Sequence, residues 1–158
     1  MAGVPIYRSG IEPEWIDYNG HLRDAYYGLI LSFAIDALME RIGLDAAGRQ
    51  RTGCTLYTLE THMHYLREIK ASDTVAVSVR ILGVDRKRIH AAFELCCEPQ
   101  TAPAAYAEAM LLNVRQSPEV ASAPFVPEIA AALAGLQRAS ADLPAAGLRS
   151  RQMQLPQR

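Results

Sequence analysis

The sequence predicts an α+β protein in which a curved, five-stranded antiparallel sheet wraps one long helix, with a further helix toward the C-terminus. Three observations predict it. Residues 25–42 read as a helix that is apolar around most of its circumference, so other elements must enclose it. Four later stretches have strand character, and three of them alternate with a period of two. Short turns join three of these stretches, which implies antiparallel pairing. The 158 residues suit one ordinary domain, able to bury roughly two-thirds of its unfolded surface without a staple.

Residues 4–16 carry Val4, Ile6, Tyr7, Ile11, Trp15 and Ile16, interrupted by Pro5 and Pro13. That reads as an irregular or edge strand. Residues 17–24, DYNGHLRD, are polar and turn-rich, with Asp24 placed to cap a following helix. The helix runs from Ala25 to Ile42 and stops at Gly43. Its polar residues Gly28, Ser32, Asp36 and Glu40 recur every fourth position and form one narrow stripe. Residues 44–54 read as a polar loop. In 55–67, Tyr57, Leu59, Thr61, Met63 and Tyr65 share one phase. Val75, Val77, Val79 and Ile81 alternate cleanly, and after the turn GVDRK at 83–87 so do Ile89, Ala91, Phe93 and Leu95. Residues 104–115 are apolar on both phases, as in a strand covered on both faces. Pro124–Pro127 opens an Ala-rich helix to about Ala139. Residues 1–139 thus read as one domain and 140–158, with Pro144, Gly147, Pro156 and three arginines, as a mobile tail. Five antiparallel strands curled around one helix make the hot-dog architecture, although other α+β arrangements fit the same pattern.

Composition narrows the function. Lys plus Arg number 16 against 17 Asp plus Glu, so the basic excess of a nucleic-acid or membrane-surface binder is missing. Half the residues are hydrophobic and 21% charged, which excludes a disordered or fibrous chain. Cys54, Cys96 and Cys97 are an odd set with two adjacent, poor material for disulfides. No basic start followed by an apolar run marks a signal peptide, and the apolar run Tyr26–Met39 is too short to span a bilayer. A cytoplasmic protein is expected.

The densest polar cluster is Asp17, Asn19, His21, Arg23 and Asp24, where a strand ends and the buried helix begins. Asn19-Gly20 is a turn signal and Asp24 a cap, both structural. Asp17 and His21 lie among Trp15, Ile16, Leu22 and Tyr26. A carboxylate among aromatics is costly unless it is hydrogen-bonded or put to chemical use.

The segments PEWIDYNGHLRDAYY (13–27) and TLETHMHYLREIKASDTV (58–75) resemble the hot-dog acyl-CoA thioesterases of the 4-hydroxybenzoyl-CoA thioesterase type. They are similar also to the plant acyl-carrier-protein thioesterases, in which an Asp-x-Asn-x-His run opens the long helix. Here that run is Asp17, Asn19 and His21. A glutamate after a Tyr-x-Arg step recurs in those enzymes and corresponds to Glu68, after Tyr65 and Arg67. EWIDYNGHLRDAYY with GCTLYTLETHMHYLRE is similar to the small thioesterases of bacterial carnitine breakdown, which hydrolyse betainyl-CoA and occur also fused to carnitine dehydrogenase. The resemblance covers residues 4–130 in element order, with its motifs confined to those two segments.

The resemblance implies hydrolysis of a short acyl-CoA ester, with Asp17 as general base or as nucleophile forming a mixed anhydride. Asn19 and His21 then orient the attacking group, and amides near His21–Tyr26 hold the oxyanion. No G-x-S-x-G is present, which disfavours an α/β-hydrolase mechanism. The family's second strand lines the acyl site, which makes Glu60 a candidate beside Glu68. Arg86, Lys87 and Arg88 form a basic turn suited to the coenzyme A phosphates, with Arg67 and Arg23 as weaker candidates. Trp15, Tyr18, Tyr26, Tyr27, Tyr57 and Tyr65 surround the motif. Core packing explains most of them, but a betainyl trimethylammonium would rest on such faces, helped by Glu60 or Asp36. His62 and His64 share a strand face with no third metal ligand at diagnostic spacing, so no metal is expected. Coenzyme A enters as substrate, no separate cofactor is expected, and the resemblance, together with an otherwise exposed sheet edge, implies a homodimer or dimer of dimers. Two rival functions stay open. One is a hot-dog enoyl-CoA hydratase, against which Gly20 stands where that motif has proline. The other is a non-catalytic acyl-CoA-binding module.

Overall fold

The computed structural model describes residues 3–100 and 102–141. In chain order these form β1 (Val4–Gly10), a 3-10 turn (Pro13–Trp15), α1 (Asp24–Arg41), α2 (Ala46–Thr52), β2 (Cys54–Tyr65), β3 (Thr74–Val84), β4 (Arg88–Glu98), β5 (Pro103–Arg115), β6 (Ala121–Ser122) and α3 (Pro127–Ala141). The sheet order is β1-β3-β4-β5-β2, with the two-residue β6 added to β5, and every pairing is antiparallel. β3, β4 and β5 are a meander. β1 and β2 join it from opposite sides and form its edges.

The inner face carries Val75, Val77, Val79 and Ile81 of β3, Ile89, Ala91, Phe93 and Leu95 of β4, and Ala105, Ala107, Ala109 and Leu111 of β5. The four alanines leave room for the helix. α1 presses Tyr27, Ile30, Leu31, Ala34, Ile35, Leu38 and Met39 into this core. The stripe Gly28, Ser32, Asp36 and Glu40 faces outward, as the sequence predicts. This is the hot-dog fold. Among the described residues no helix is long and apolar enough to cross a membrane.

Several local expectations are corrected. The predicted loop at 44–54 contains α2: Asp45 caps it by accepting from the Gly48 amide at 2.7 Å, and Gly53, at φ 65°, closes it. A Cβ on Gly48 would lie 1.9 Å from the Gly43 carbonyl oxygen, so only glycine fits there. Asp24 is the first helical residue rather than the cap. Arg23 holds the cap position without a side-chain bond, and the Asp24 carboxylate accepts from the Ala25 amide at 2.9 Å.

The single phase predicted for 57–65 is broken by a bulge between Thr58 and Glu60. Residues directly opposite in an antiparallel pair share a face. Thr58, Thr61, Met63 and Tyr65 therefore face inward with Leu111, Ala109, Ala107 and Ala105, while Tyr57, Glu60, His62 and His64 face outward. α3 runs to Ala141, so the first two residues of the predicted tail are helical, and the Ser140 hydroxyl donates back to Leu136 O at 3.1 Å. The rest of that tail, 142–158, lies outside the described residues.

Candidate active site

The polar cluster folds into a tight hairpin turn ahead of α1. Ile16 bridges Leu22, the Asp17 amide donates to His21 O at 2.8 Å, and the Gly20 amide donates to Asp17 O at 3.1 Å. Gly20 has φ +80°, a conformation glycine adopts without strain. Inside this turn the Asp17 Oδ1 accepts from the Asn19 amide at 2.8 Å and the His21 amide at 3.1 Å. Among the described residues its Oδ2 meets only the Asn19 Nδ2, at 3.5 Å. The His21 amide foremost, against a partial desolvation and with help from Asn19, holds the Asp17 carboxyl below its ordinary range. Its backbone thus meets the cost that the sequence raises for Asp17. One oxygen is engaged and the other is nearly open.

The turn is docked on the loop between β2 and β3. The Leu22 amide donates to Ile69 O at 2.7 Å, His21 bridges Lys70, and His21 Nε2 pairs with Glu68 Oε2 at 3.0 Å. Two predicted carboxylates are therefore joined through one histidine: Asp17 by its backbone amide, Glu68 by its ring. The loop is itself anchored. Leu66 and Arg67 amides both donate to Ala104 O, at 2.9 and 3.0 Å. The Arg67 guanidinium donates to Gln100 Oε1 at 2.8 Å and to Ala102 O, and Tyr27 Oη donates to Arg67 O at 3.2 Å.

A cleft of about 350 Å³ opens between this loop, the end of β2 and the first turn of α1. Tyr27 and Tyr65 form one corner, with rings 5.1 Å apart at 88°. Asp24, Glu68, Leu22, Leu66 and Arg67 complete the lining. Burial pushes both tyrosine hydroxyls above their ordinary range, and the Asp24 charge adds to this at Tyr65. A second, polar cleft of about 260 Å³ lies beyond Arg67 and Glu68, over Lys70, Asp73 and Cys97. Burial lifts the Cys97 thiol to about 11, so it stays protonated.

The other predicted residues distribute as follows. Trp15 stacks on Tyr26 (5.6 Å, 17°) behind the turn, and Tyr18 is 95% exposed. Glu60 lies on the outer face, paired with His62 at 2.7 Å, and Tyr57 bonds Gln116 there. Asp36 lies on the outward stripe of α1, three turns beyond Asp24. Neither carboxylate accompanies the tyrosine corner. Arg86, Lys87 and Arg88 occupy the β3–β4 turn, whose Asp85 binds the Arg88 guanidinium at 2.6 Å and is held down to about 2, chiefly by the Lys87 amide. The 11-residue β3, about 35 Å long at roughly 3.3 Å per residue, runs from the loop that holds the Asp17 turn to this turn at the other end of the sheet.

The expected oxyanion donors are also largely engaged. The amides of His21, Leu22, Arg23, Ala25 and Tyr26 all have acceptors within the chain. His90 pairs with Glu108 at 3.0 Å, and among the described residues no three His, Cys, Asp or Glu side chains are placed to share a metal ion. Sequence reasoning missed Ile69, which carries the docking carbonyl, and the place of Asp24 on the cleft wall. Ile69 does stand out in the sequence as the lone large apolar residue of REIKASD.

Comparison with known proteins gives consistent relatives. Residues 11–133 match the thioesterase-like superfamily. The betainyl-CoA thioesterase of Pseudomonas aeruginosa is 44% identical over 142 residues, 89% of this chain and 88% of that one. An L-carnitine dehydrogenase/betainyl-CoA thioesterase of Agrobacterium fabrum is 42% identical over 53% of this chain, which corresponds to 17% of that protein. A Staphylococcus aureus protein solved in complex with CoA superimposes over 99% of this chain and 98% of its own, with TM-score 0.85 and 26% identity.

Proposed function

This chain belongs to the thioesterase-like superfamily, and from that premise we propose that it hydrolyses betainyl-CoA to glycine betaine and coenzyme A. One observation carries the reading. Asp17 is held ionised in a turn that His21 ties to Glu68 on the wall of a cleft. The betainyl-CoA thioesterase that is 44% identical over nearly all of both chains supports the acyl group.

A carboxylate held below its ordinary range is a weak proton acceptor and stays fully charged, which suits direct attack. Asp17 Oδ2 bonds to the thioester carbon and the C–S bond breaks. The thiolate leaves and takes a proton from solvent. Water then cleaves the mixed anhydride, releasing the acid and restoring the carboxylate. Asn19 and His21 hold the carboxylate in place, and Glu68 holds the His21 ring. No cofactor enters this scheme, and three free cysteines agree with a cytoplasmic setting.

We place the enzyme as a homodimer. β2 is an edge strand of 12 residues, and Tyr57, Leu59 and Tyr65 on it are exposed by 43%, 55% and 56%. Such an edge invites pairing. A two-fold axis joining two β2 strands makes them antiparallel. It carries the Arg86–Arg88 turn of one chain toward the Asp17 end of the other, where coenzyme A phosphates need cations. Native mass spectrometry and sedimentation should give a dimer or a multiple of one; a monomer at micromolar concentration overturns this.

Thiol release from betainyl-, acetyl-, hexanoyl-, 4-hydroxybenzoyl- and crotonyl-CoA tests the function. Betainyl-CoA should be cleaved fastest. Cleavage of the other esters alone would keep a thioesterase and discard the betainyl assignment. Loss of the crotonyl enoyl absorbance without thiol release would establish the hydratase. Binding without turnover would establish a binding module.

A further inference from the structure

We infer that the Tyr27–Tyr65 corner and the Asp24 carboxylate form a subsite for a quaternary ammonium group, and that Asp24 and Tyr65 set the preference for a cationic acyl chain. The inference rests on the thioesterase reading and names residues for which the sequence offered only a diffuse aromatic set. The two rings meet nearly edge to face, 5.1 Å apart. A trimethylammonium group has no N–H to donate. Aromatic faces and unpaired negative charge are what bind it.

The charges around the cleft favour a cation. Asp24 and Glu68 both line it. Arg67 lines it too and keeps its charge, since its guanidinium donates to the neutral Gln100 and Ala102 oxygens, on the side of the neighbouring polar cleft. The start of α1 opposes a cation with roughly half a positive charge. Two carboxylates outweigh one guanidinium and that half charge together. Asp24 lies close enough to Tyr65 for its charge to shift the phenol. One wall of the subsite is thus negative and the other is aromatic.

The subsite is tied to the turn that carries the attacking group. In betaine one methylene separates the nitrogen from the carbonyl carbon, so the ammonium site must lie within a few bonds of the reacting atom. Leu22 and Glu68 line the cleft; Leu22 closes the turn that holds Asp17, and Glu68 is bonded to that turn through His21. A long acyl chain would find a different complement here, since the cleft holds about 350 Å³ and opens to charged walls.

The discriminating pair of substrates is betainyl-CoA and 3,3-dimethylbutyryl-CoA, which has the same shape with carbon in place of nitrogen. The full chain should show a kcat/KM ratio of at least about tenfold in favour of the cation, the scale of a partly desolvated cation–π contact. Asp24→Asn and Tyr65→Leu should each reduce that ratio by about fivefold to tenfold. Both side chains are solvent-accessible, so folding should survive either change. A ratio near one in the full chain, or one unaltered by both variants, overturns the inference. If neither ester is cleaved, the thioesterase reading fails separately. Perturbation of tyrosine ring NMR signals by glycine betaine, absent with 3,3-dimethylbutyrate, then decides the subsite by itself.

Discussion

Asp17→Asn should lower kcat for betainyl-CoA by about a thousandfold or more and leave KM nearly unchanged, the pattern of a lost reacting group. The substitution is well suited to the test. An asparagine side-chain oxygen can still accept from the Asn19 and His21 amides that now bond Oδ1. The turn is therefore preserved while the charge is removed. The pH profile supplies an independent check. The His21 amide stabilises the ionised form and lowers the Asp17 pKa, so activity that needs this carboxylate should persist as pH falls. The acid limb of kcat/KM should lie below about 4, the ordinary carboxylate range. A limb well above that range would remove Asp17 from the role. The same shift acts on stability with the same sign. The contribution is present above the unfolded carboxyl pKa and disappears as pH falls through the depressed folded value. Single turnover in ¹⁸O-water followed by mass spectrometry of the Asp17 peptide separates the two mechanisms. Label in the carboxylate after that one turnover requires an anhydride opened at the Asp17 carboxyl carbon and establishes direct attack, whereas a base that activates water remains unlabelled and sends the label to the product.

The parts of this fold that are legible in the sequence are those whose period is long and uninterrupted. α1 shows its four-residue polar stripe, and β3 and β4 show clean alternation. Each reflects one dominant demand, burial of one face or of nearly all faces. α2 was hidden because AAGRQRT is only seven residues long and has no apolar stripe. Its caps, Asp45 and Gly53, were the readable signals. The β2 bulge was hidden because Tyr57, Leu59, Met63 and Tyr65 satisfy one phase in the sequence. Only pairing with β5 shows that Tyr57 and Tyr65 lie on opposite faces. That one-residue slip sends Glu60 outward with His62 and leaves Tyr65 facing Tyr27.

The site shows the same division. Asp17, Asn19 and His21 were readable because the turn that unites them is local. The His21–Glu68 pair and the Tyr27–Tyr65 corner required β2 and the following loop to return to the start of α1. No local pattern encodes that return. The basic turn at 86–88 is conspicuous as sequence, yet β3 places it at the opposite end of the sheet from the loop on which the Asp17 turn docks.

Ile69→Ala should separate a role in the site from a role in the core. Ile69 is fully buried, and its carbonyl receives the Leu22 amide at 2.7 Å. Its neighbours Glu68 and Lys70 are the two contacts of His21 with this loop. Truncating the side chain leaves a cavity beneath the segment on which the Asp17 turn rests, at a cost of about 2–4 kcal/mol. Leu133, in α3, is equally buried and lines neither cleft. Leu133→Ala should destabilise the chain by a similar amount. Urea denaturation should therefore move both midpoints together. At a temperature where both variants remain folded, kcat should fall about tenfold for Ile69→Ala, since small displacements of a reacting group carry large rate penalties, and stay near wild type for Leu133→Ala. Equal losses of kcat would mean that activity follows global stability. No loss in either would mean that the turn keeps its geometry without the loop beneath it, and that the His21–Glu68 pair alone positions Asp17.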